Sequence, residues 1–268
     1  MPATEVVDPA RAAERLAACV REAGALALSM FQTPLRNWTK GASSPVCEAD
    51  IAVDALLRER LTGEASPIAW LSEESVDHPA RLAARHVWIV DPIDGTRAFI
   101  AGLPDWAVSA ALIEDARPIV ACLFAPAREE FFMAVAGAGA TLNGAPIATT
   151  AGASLADTRI AGPKALLERL AAVSPPFVTM PRIPSLALRL ARVAQGSFDV
   201  AIAGGNSHDW DLAAADLLVH EAGGALTPFG GGPVTYNRPE PRHGTLVAAG
   251  RDRHAALIDV LSDERIAS

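Results

Sequence analysis

The chain has 268 residues, half of them hydrophobic and 20% charged, enough for a large buried core in one long domain or two smaller ones. Its formal net charge of −8 argues against nucleic-acid backbones and anionic membranes as partners, since either calls for a basic face. No basic start leads into an apolar stretch and no run of about 18 apolar residues occurs, so neither a secretory signal nor a membrane span is expected.

In chain order, residues 8–31 read as an amphipathic helix. Asp8 suits the N-cap and Pro9 the first turn, and Leu16, Cys19, Val20, Ala23, Leu26, Ala27 and Met30 trace one face. Residues 34–45 form a polar, turn-rich link; a second helix is predicted over 49–61, followed by a loop into the apolar segment 68–71. Residues 86–90 are a short, Val/Ile-rich buried strand. Asp91 precedes Pro92 and is pushed toward extended backbone, while Pro92 lacks an N–H and marks the end of strand pairing. Segments 106–114, 118–125 and 130–135 read as strands, the first two joined by an Asp-Ala-Arg-Pro turn. Residues 154–172 and 185–196 are predicted helical, and the glycines and prolines of 223–239 form a loop and edge-strand region. A boundary near residue 150 would divide an N-terminal half (1–150) from a C-terminal half (151–268). Cys19, Cys47 and Cys122 fall in no C-x-x-C pattern and fit small buried hydrophobes of a reducing, cytoplasmic compartment.

Carboxylates recur at element ends. Asp50 stands in SPVCEAD at a helix start, and Glu73 and Glu74 in SEES after an apolar run. Asp91 and Asp94 follow the strand, and Asp209 and Asp211 flank Trp210 where a helical pattern begins. Each is also a plausible N-cap, but two aspartates around a proline at a strand exit are costly to bury without a partner. Carboxylates without accompanying His or Cys favour a hard cation, Mg²⁺ or Mn²⁺, over Zn²⁺. A carboxylate can bridge two ions about 3.5–4 Å apart, a pairing that activates water and steadies a leaving oxygen. Gly95 permits backbone conformations closed to other residues, and the N–H groups of Gly95 and Thr96 at this turn suit phosphate oxygens.

The blocks SPVCEAD, SEES, WIVDPIDGT and WDLAAADLLVHEAGG, in this order and spacing, resemble the inositol monophosphatase superfamily over roughly residues 40–250. The resemblance implies an α+β fold, a layered α-β-α-β-α sandwich. It implies Mg²⁺-dependent hydrolysis of a small phosphorylated metabolite, commonly with Li⁺ inhibition, and frequent homodimerisation. It assigns Glu73, Asp91 and the Ile93 carbonyl to one metal and Asp91, Asp94 and Asp211 to a second, with a third, looser ion near Glu73. Asp50 and Thr96 match the pair that orients and deprotonates the attacking water, and Gly95 and Thr96 the phosphate-binding amides. Ser185, in a segment resembling the 3'(2'),5'-bisphosphate nucleotidase branch, falls on the substrate side, although Pro184 replaces the usual glycine. His208 and Asp209 are candidates for a substrate hydroxyl, and Lys40 is a candidate for a second phosphate or an ordinary surface lysine.

Two other classes compete. Haloacid-dehalogenase-type phosphatases use Asp-x-Asp-x-Thr with a nucleophilic aspartate, whereas here two residues separate the aspartates and Pro92 interrupts the strand. A non-catalytic phospholigand-binding protein would not need every expected metal ligand. FGGG lacks the Gly-Lys-Ser/Thr ending of a phosphate loop, and His220 reads as structural.

Overall fold

A computed structural model describes residues 7–41, 44–62 and 68–261. The loop expected ahead of the 68–71 segment lies largely outside them. The first part of the chain forms α1 (Pro9–Met30), the hairpin β1 (Asn37–Lys40) and β2 (Ser44–Cys47), and α2 (Glu48–Thr62). It continues through β3 (Ala69–Ser72), β4 (His86–Asp94), α3 (Thr96–Ile100), β5 (Ala107–Glu114), β6 (Arg117–Ala125), β7 (Glu130–Val135), β8 (Gly139–Leu142) and β9 (Ala145–Pro146). The remainder contributes β10 (Arg159–Ala161), α4 (Lys164–Ala171), β11 (Val178–Thr179), α5 (Leu186–Ala194), β12 (Val200–Ala203) and β13 (Ser207–His208). It ends with α6 (Asp209–Glu221), β14 (Gly224–Pro228), β15 (Arg242–His243), β16 (Leu246–Gly250) and α7 (Arg251–Leu261).

Strands β3 to β9 make a seven-stranded sheet in sequence order, antiparallel except for the parallel β3–β4 pair. A five-stranded sheet runs β11-β10-β12-β16-β14. Side chains alternate across a pleated strand, so each sheet feeds two cores. On β4, Trp88 and Val90 pack with α1 and α2, whereas Val87 and Ile89 face the central core with α5 and α6. On β12, Ala201 and Ala203 face that central core, and Val200 and Ile202 join Leu167, Leu170 and Leu257 of α4 and α7 outside it. The layers therefore run α-β-α-β-α, the sandwich the resemblance implied. Small residues let them approach closely: a Cβ on Gly24 of α1 would lie 2.2 Å from Phe124 Cδ1.

Three expectations change. The 34–45 link contains the β1–β2 hairpin; all four β1 residues are exposed, so no burial alternation betrays it. The 154–172 helix resolves into β10 and a shorter α4, because Gly162-Pro163 interrupts the pattern and Pro163 is the N-cap of α4. Pro92 does not end β4. Pairing slips after Asp91↔Ser109 and resumes at Asp94↔Ala107, so Pro92 sits in a bulge and the missing N–H is absorbed there.

Candidate active site

Parallel pairing places the C-terminal ends of β3 and β4 side by side, with Ser72 opposite Val90. Glu73 N–H donates to the Val90 carbonyl at 3.3 Å, setting Glu73 beside Asp91. The β4 bulge turns Asp91 and Asp94 out at that edge, and Asp91 Oδ1 accepts from Ile93 N–H at 3.0 Å. Gly95 follows with φ +95°, and a Cβ there would lie 2.9 Å from the Asp105 carbonyl, so glycine is required on both counts. Helix α6 brings Asp211 in its first turn, where Oδ2 accepts the His208 N–H at 2.6 Å. One carboxylate oxygen from each of Asp91, Asp94 and Asp211 falls within 4.8 Å of the others.

These residues line a cleft of about 300 Å³ together with Glu73, Ile93, Gly95, Thr96, Ser44, Arg97, Arg182 and Pro184. Its electrostatics are strained. Burial, then the charges of Glu73, Asp94 and Asp211, push Asp91 well above the usual carboxylate range. Burial and Asp211 raise Asp94 to about 7, against the lowering effect of hydrogen bonds from Ser185 and α5. Burial and Asp211 likewise raise Glu73 to about 8, opposed by Lys40. Lys40 Nζ donates to the Glu73 carbonyl at 2.6 Å and to Glu74 Oε1 at 3.0 Å, and lies 3.8 Å from Glu73 Oε1. One ammonium cannot balance this many carboxylates. An all-oxygen donor set that resists ionising without added positive charge fits a hard divalent cation.

Behind the cleft, Thr96 Oγ1 lies 3.0 Å from Asp50 Oδ1 and 3.0 Å from the Ile93 carbonyl, two acceptors for one hydroxyl proton. Asp50 Oδ2 accepts from both the N–H and the thiol of Cys47 at 2.8 Å. Burial lifts Asp50 above its ordinary value, and the bonds from Cys47 and Thr96 work against it. Burial also pushes the Cys47 thiol up to about 12, with the Asp50 bond and charge adding to it, so it stays protonated and can donate.

The remaining candidates lie elsewhere. Ser185 is fully buried: its hydroxyl donates to Asp94 Oδ2 and accepts from Leu188 N–H at 3.1 Å as the N-cap of α5. Asp209, also fully buried, accepts from Asn237 N–H at 2.7 Å and lies 2.7 Å from His243 Nε2. Ser185 and Asp209 thus serve the fold and offer the cleft no free polar group. His208 is half-buried, its ring stacked on Trp210 at 4.6 Å and 3.8 Å from Asp211 Oδ2. Sequence reasoning missed Asp54, one turn after Asp50 on α2. It accepts from the hydroxyls of Ser72 and Ser75, the latter at 2.6 Å, and so clamps the Glu73-Glu74 turn. The i,i+4 aspartates of α2 were its visible signal.

The model of the inositol monophosphatase family matches residues 8–265. The chain belongs to that family. As a member it is a phosphoric monoester hydrolase. It is 36% identical to a histidinol-phosphatase of Mycobacterium tuberculosis over 224 residues, 76% of this chain and 84% of that protein. It is 31% identical to the 3'(2'),5'-bisphosphate nucleotidase CysQ of Aggregatibacter actinomycetemcomitans over 229 residues, covering 82% and 85%. Among solved structures, the extragenic suppressor protein SuhB of Bartonella henselae superposes with a TM-score of 0.81 at 26% identity, over 94% of this chain and 98% of that one. No helix among the described residues is long and apolar enough to cross a membrane.

Proposed function

We propose that this family member is a Mg²⁺-dependent phosphomonoesterase acting on a small phosphorylated metabolite at the cleft formed by Glu73, Asp91, Asp94 and Asp211. The observation that carries the reading is the convergence of Asp91, Asp94 and Asp211 within 4.8 Å, beside the Thr96–Asp50 hydrogen bond. Glu73, Asp91, Asp94, Asp211 and the Ile93 carbonyl would hold the ions, two or three in number, with Mn²⁺ as a substitute. Bound there, the cation supplies positive charge to the phosphoryl oxygens and acidifies a water for in-line attack on phosphorus.

The chain's own residues do the rest. Thr96 donates its proton to Asp50, which leaves its oxygen lone pairs to accept from a water and fix its orientation. Asp50, lifted by burial, is a better proton acceptor than an exposed aspartate and takes the proton relayed through Thr96. The backbone amides of Gly95 and Thr96 bind the phosphate. No phosphoenzyme is involved.

For the substrate we favour 3'-phosphoadenosine 5'-phosphate, supported by the Ser185–Arg189 segment and by the likeness to the bisphosphate nucleotidase. Histidinol phosphate is the second reading, favoured by the higher identity to the histidinol-phosphatase; inositol 1-phosphate stands behind both. Phosphate release from the three esters at equal concentration, with Mg²⁺ and with chelator, tests this. The favoured reading requires a large preference for 3'-phosphoadenosine 5'-phosphate that vanishes with chelator. Preference for another ester names that substrate instead, and release from none rejects the assignment. Homodimerisation and Li⁺ inhibition belong to the same reading, and are checked by sedimentation and by Li⁺ titration of the activity.

A further inference from the structure

Next to the acidic cleft lies a larger cavity, about 1090 Å³, between α4 and the segment leading into α5. Its charged lining residues are Lys164, Glu168, Arg182 and Arg189, three cations against one carboxylate, on a chain whose net charge is −8. Lys164 and Glu168 face each other at 3.7 Å, so the uncompensated charge sits on the two arginines. Arg182 also lines the acidic cleft and therefore stands at the junction of the two spaces. It makes no hydrogen bond or ion pair with any described residue.

Arg189 lies behind it. Its Nη2 donates to the Ile183 carbonyl at 2.8 Å and its Nη1 approaches the Ile202 carbonyl at 3.4 Å, while the buried Nε has no partner. No carboxylate touches it, although the charge of Asp94 reaches it. Burial presses its pKa below the ordinary arginine value, and the like charge of Arg182 adds to that. Two neighbouring guanidiniums with unused donors, one of them partly desolvated, are stabilised by an incoming anion. Leu167, Phe177 and Met180 give the same cavity apolar walls.

We propose that Arg182, backed by Arg189, is a specificity-determining residue that recognises a second phosphate on the leaving group of the substrate. The ester cleaved in the acidic cleft then belongs to an alcohol that carries a further phosphate and an apolar or planar body large enough to occupy the neighbouring cavity. This rests on the phosphomonoesterase reading above and moves recognition of the second phosphate from Lys40, which is engaged by Glu73 and Glu74, to Arg182.

The test separates binding from hydrolysis. Chelator-treated protein is titrated calorimetrically with adenosine 5'-monophosphate, which carries the second phosphate but no scissile one, and with uncharged adenosine. The nucleotide should bind about tenfold or more tighter than adenosine, and Arg182→Ala should abolish that difference. Equal binding of the two ligands, or a difference unchanged in Arg182→Ala, overturns the proposal. With Mg²⁺ present, the ratio of kcat/KM for 3'-phosphoadenosine 5'-phosphate over glycerol 2-phosphate should fall about tenfold or more in Arg182→Ala, and an unchanged ratio also overturns it. Lack of hydrolysis of either ester by the unsubstituted protein would reject the phosphomonoesterase reading, and the calorimetric result would still decide the role of Arg182.

Discussion

Replacing Ser185 by alanine should destabilise the metal-free protein, and by an amount that depends on pH. The hydroxyl has two partners. It donates to Asp94 Oδ2 and, as the α5 N-cap, accepts from Leu188 N–H. A hydrogen bond to a charged acceptor contributes about 1.5–3 kcal/mol and an N-cap about 1 kcal/mol, so the loss at pH 8 is about 3 kcal/mol. For a chain of this size that corresponds to a drop of about 5–10 °C in Tm. Asp94 sits at about 7 in the folded protein, so at pH 5 it is protonated and the charge-assisted part of the loss disappears. Differential scanning calorimetry of wild type, Ser185→Ala and Ser185→Thr in chelator at pH 5 and pH 8 reads the effect directly. The Tm deficit of the alanine variant should be about twice as large at pH 8, whereas threonine, which keeps the hydroxyl but adds a methyl to a fully buried site, should show a deficit that does not depend on pH. A deficit under about 2 °C at pH 8, or one independent of pH, would refute the assignment of this hydroxyl to the Asp94 carboxylate.

Three further outcomes follow from the same geometry. Thr96→Val removes the hydroxyl that links the cleft to Asp50, and should lower kcat by about 10²- to 10⁴-fold in phosphate-release assays. Because it also leaves a buried Asp50 oxygen without its donor, calorimetry should show a Tm lower by a few degrees with the variant still folded. Glu73 and Asp94 have folded-state pKa values of about 8 and about 7, above their unfolded values near 4. The folded protein thus holds more protons between those limits, and its metal-free Tm should fall as pH rises from about 4 to about 8. Added Mg²⁺ should raise Tm more at pH 8 than at pH 5. Finally, Asp209→Ala leaves the Asn237 N–H and the His243 ring without their buried acceptor and should cost about 2–4 kcal/mol of stability by denaturant titration, a loss that a substrate contact would not produce.

Much of this arrangement was legible in the chain. The aspartates around Pro92 stand out because polar groups at the end of an apolar strand need a partner, and the four ordered blocks gave the family and its layered sandwich. What stayed hidden was contact between distant segments. Ser185 is 91 residues from Asp94, and nothing local distinguishes a serine that caps a helix onto a carboxylate from one that touches substrate. Asp209 illustrates the same limit: Asp211, two residues on in the first turn of α6, faces the cleft, yet Asp209 points its own carboxylate inward to His243. Lys40 lies on an exposed hairpin with no burial pattern to mark it, and only the fold reveals that its ammonium reaches Glu73 and Glu74. Arg182 had no motif at all; its place between an acidic cleft and a basic cavity exists only in three dimensions.

The most direct test of the central claim is a Mg²⁺ titration of phosphate release by wild type and Asp94→Asn, each verified as folded by calorimetry. The wild type should be inactive after chelation and regain activity with Mg²⁺, and Asp94→Asn should be at least about 100-fold slower at saturating Mg²⁺. Near-normal turnover by Asp94→Asn, or undiminished wild-type turnover in chelator, would contradict the placement of the chemistry at the Asp91, Asp94 and Asp211 carboxylates.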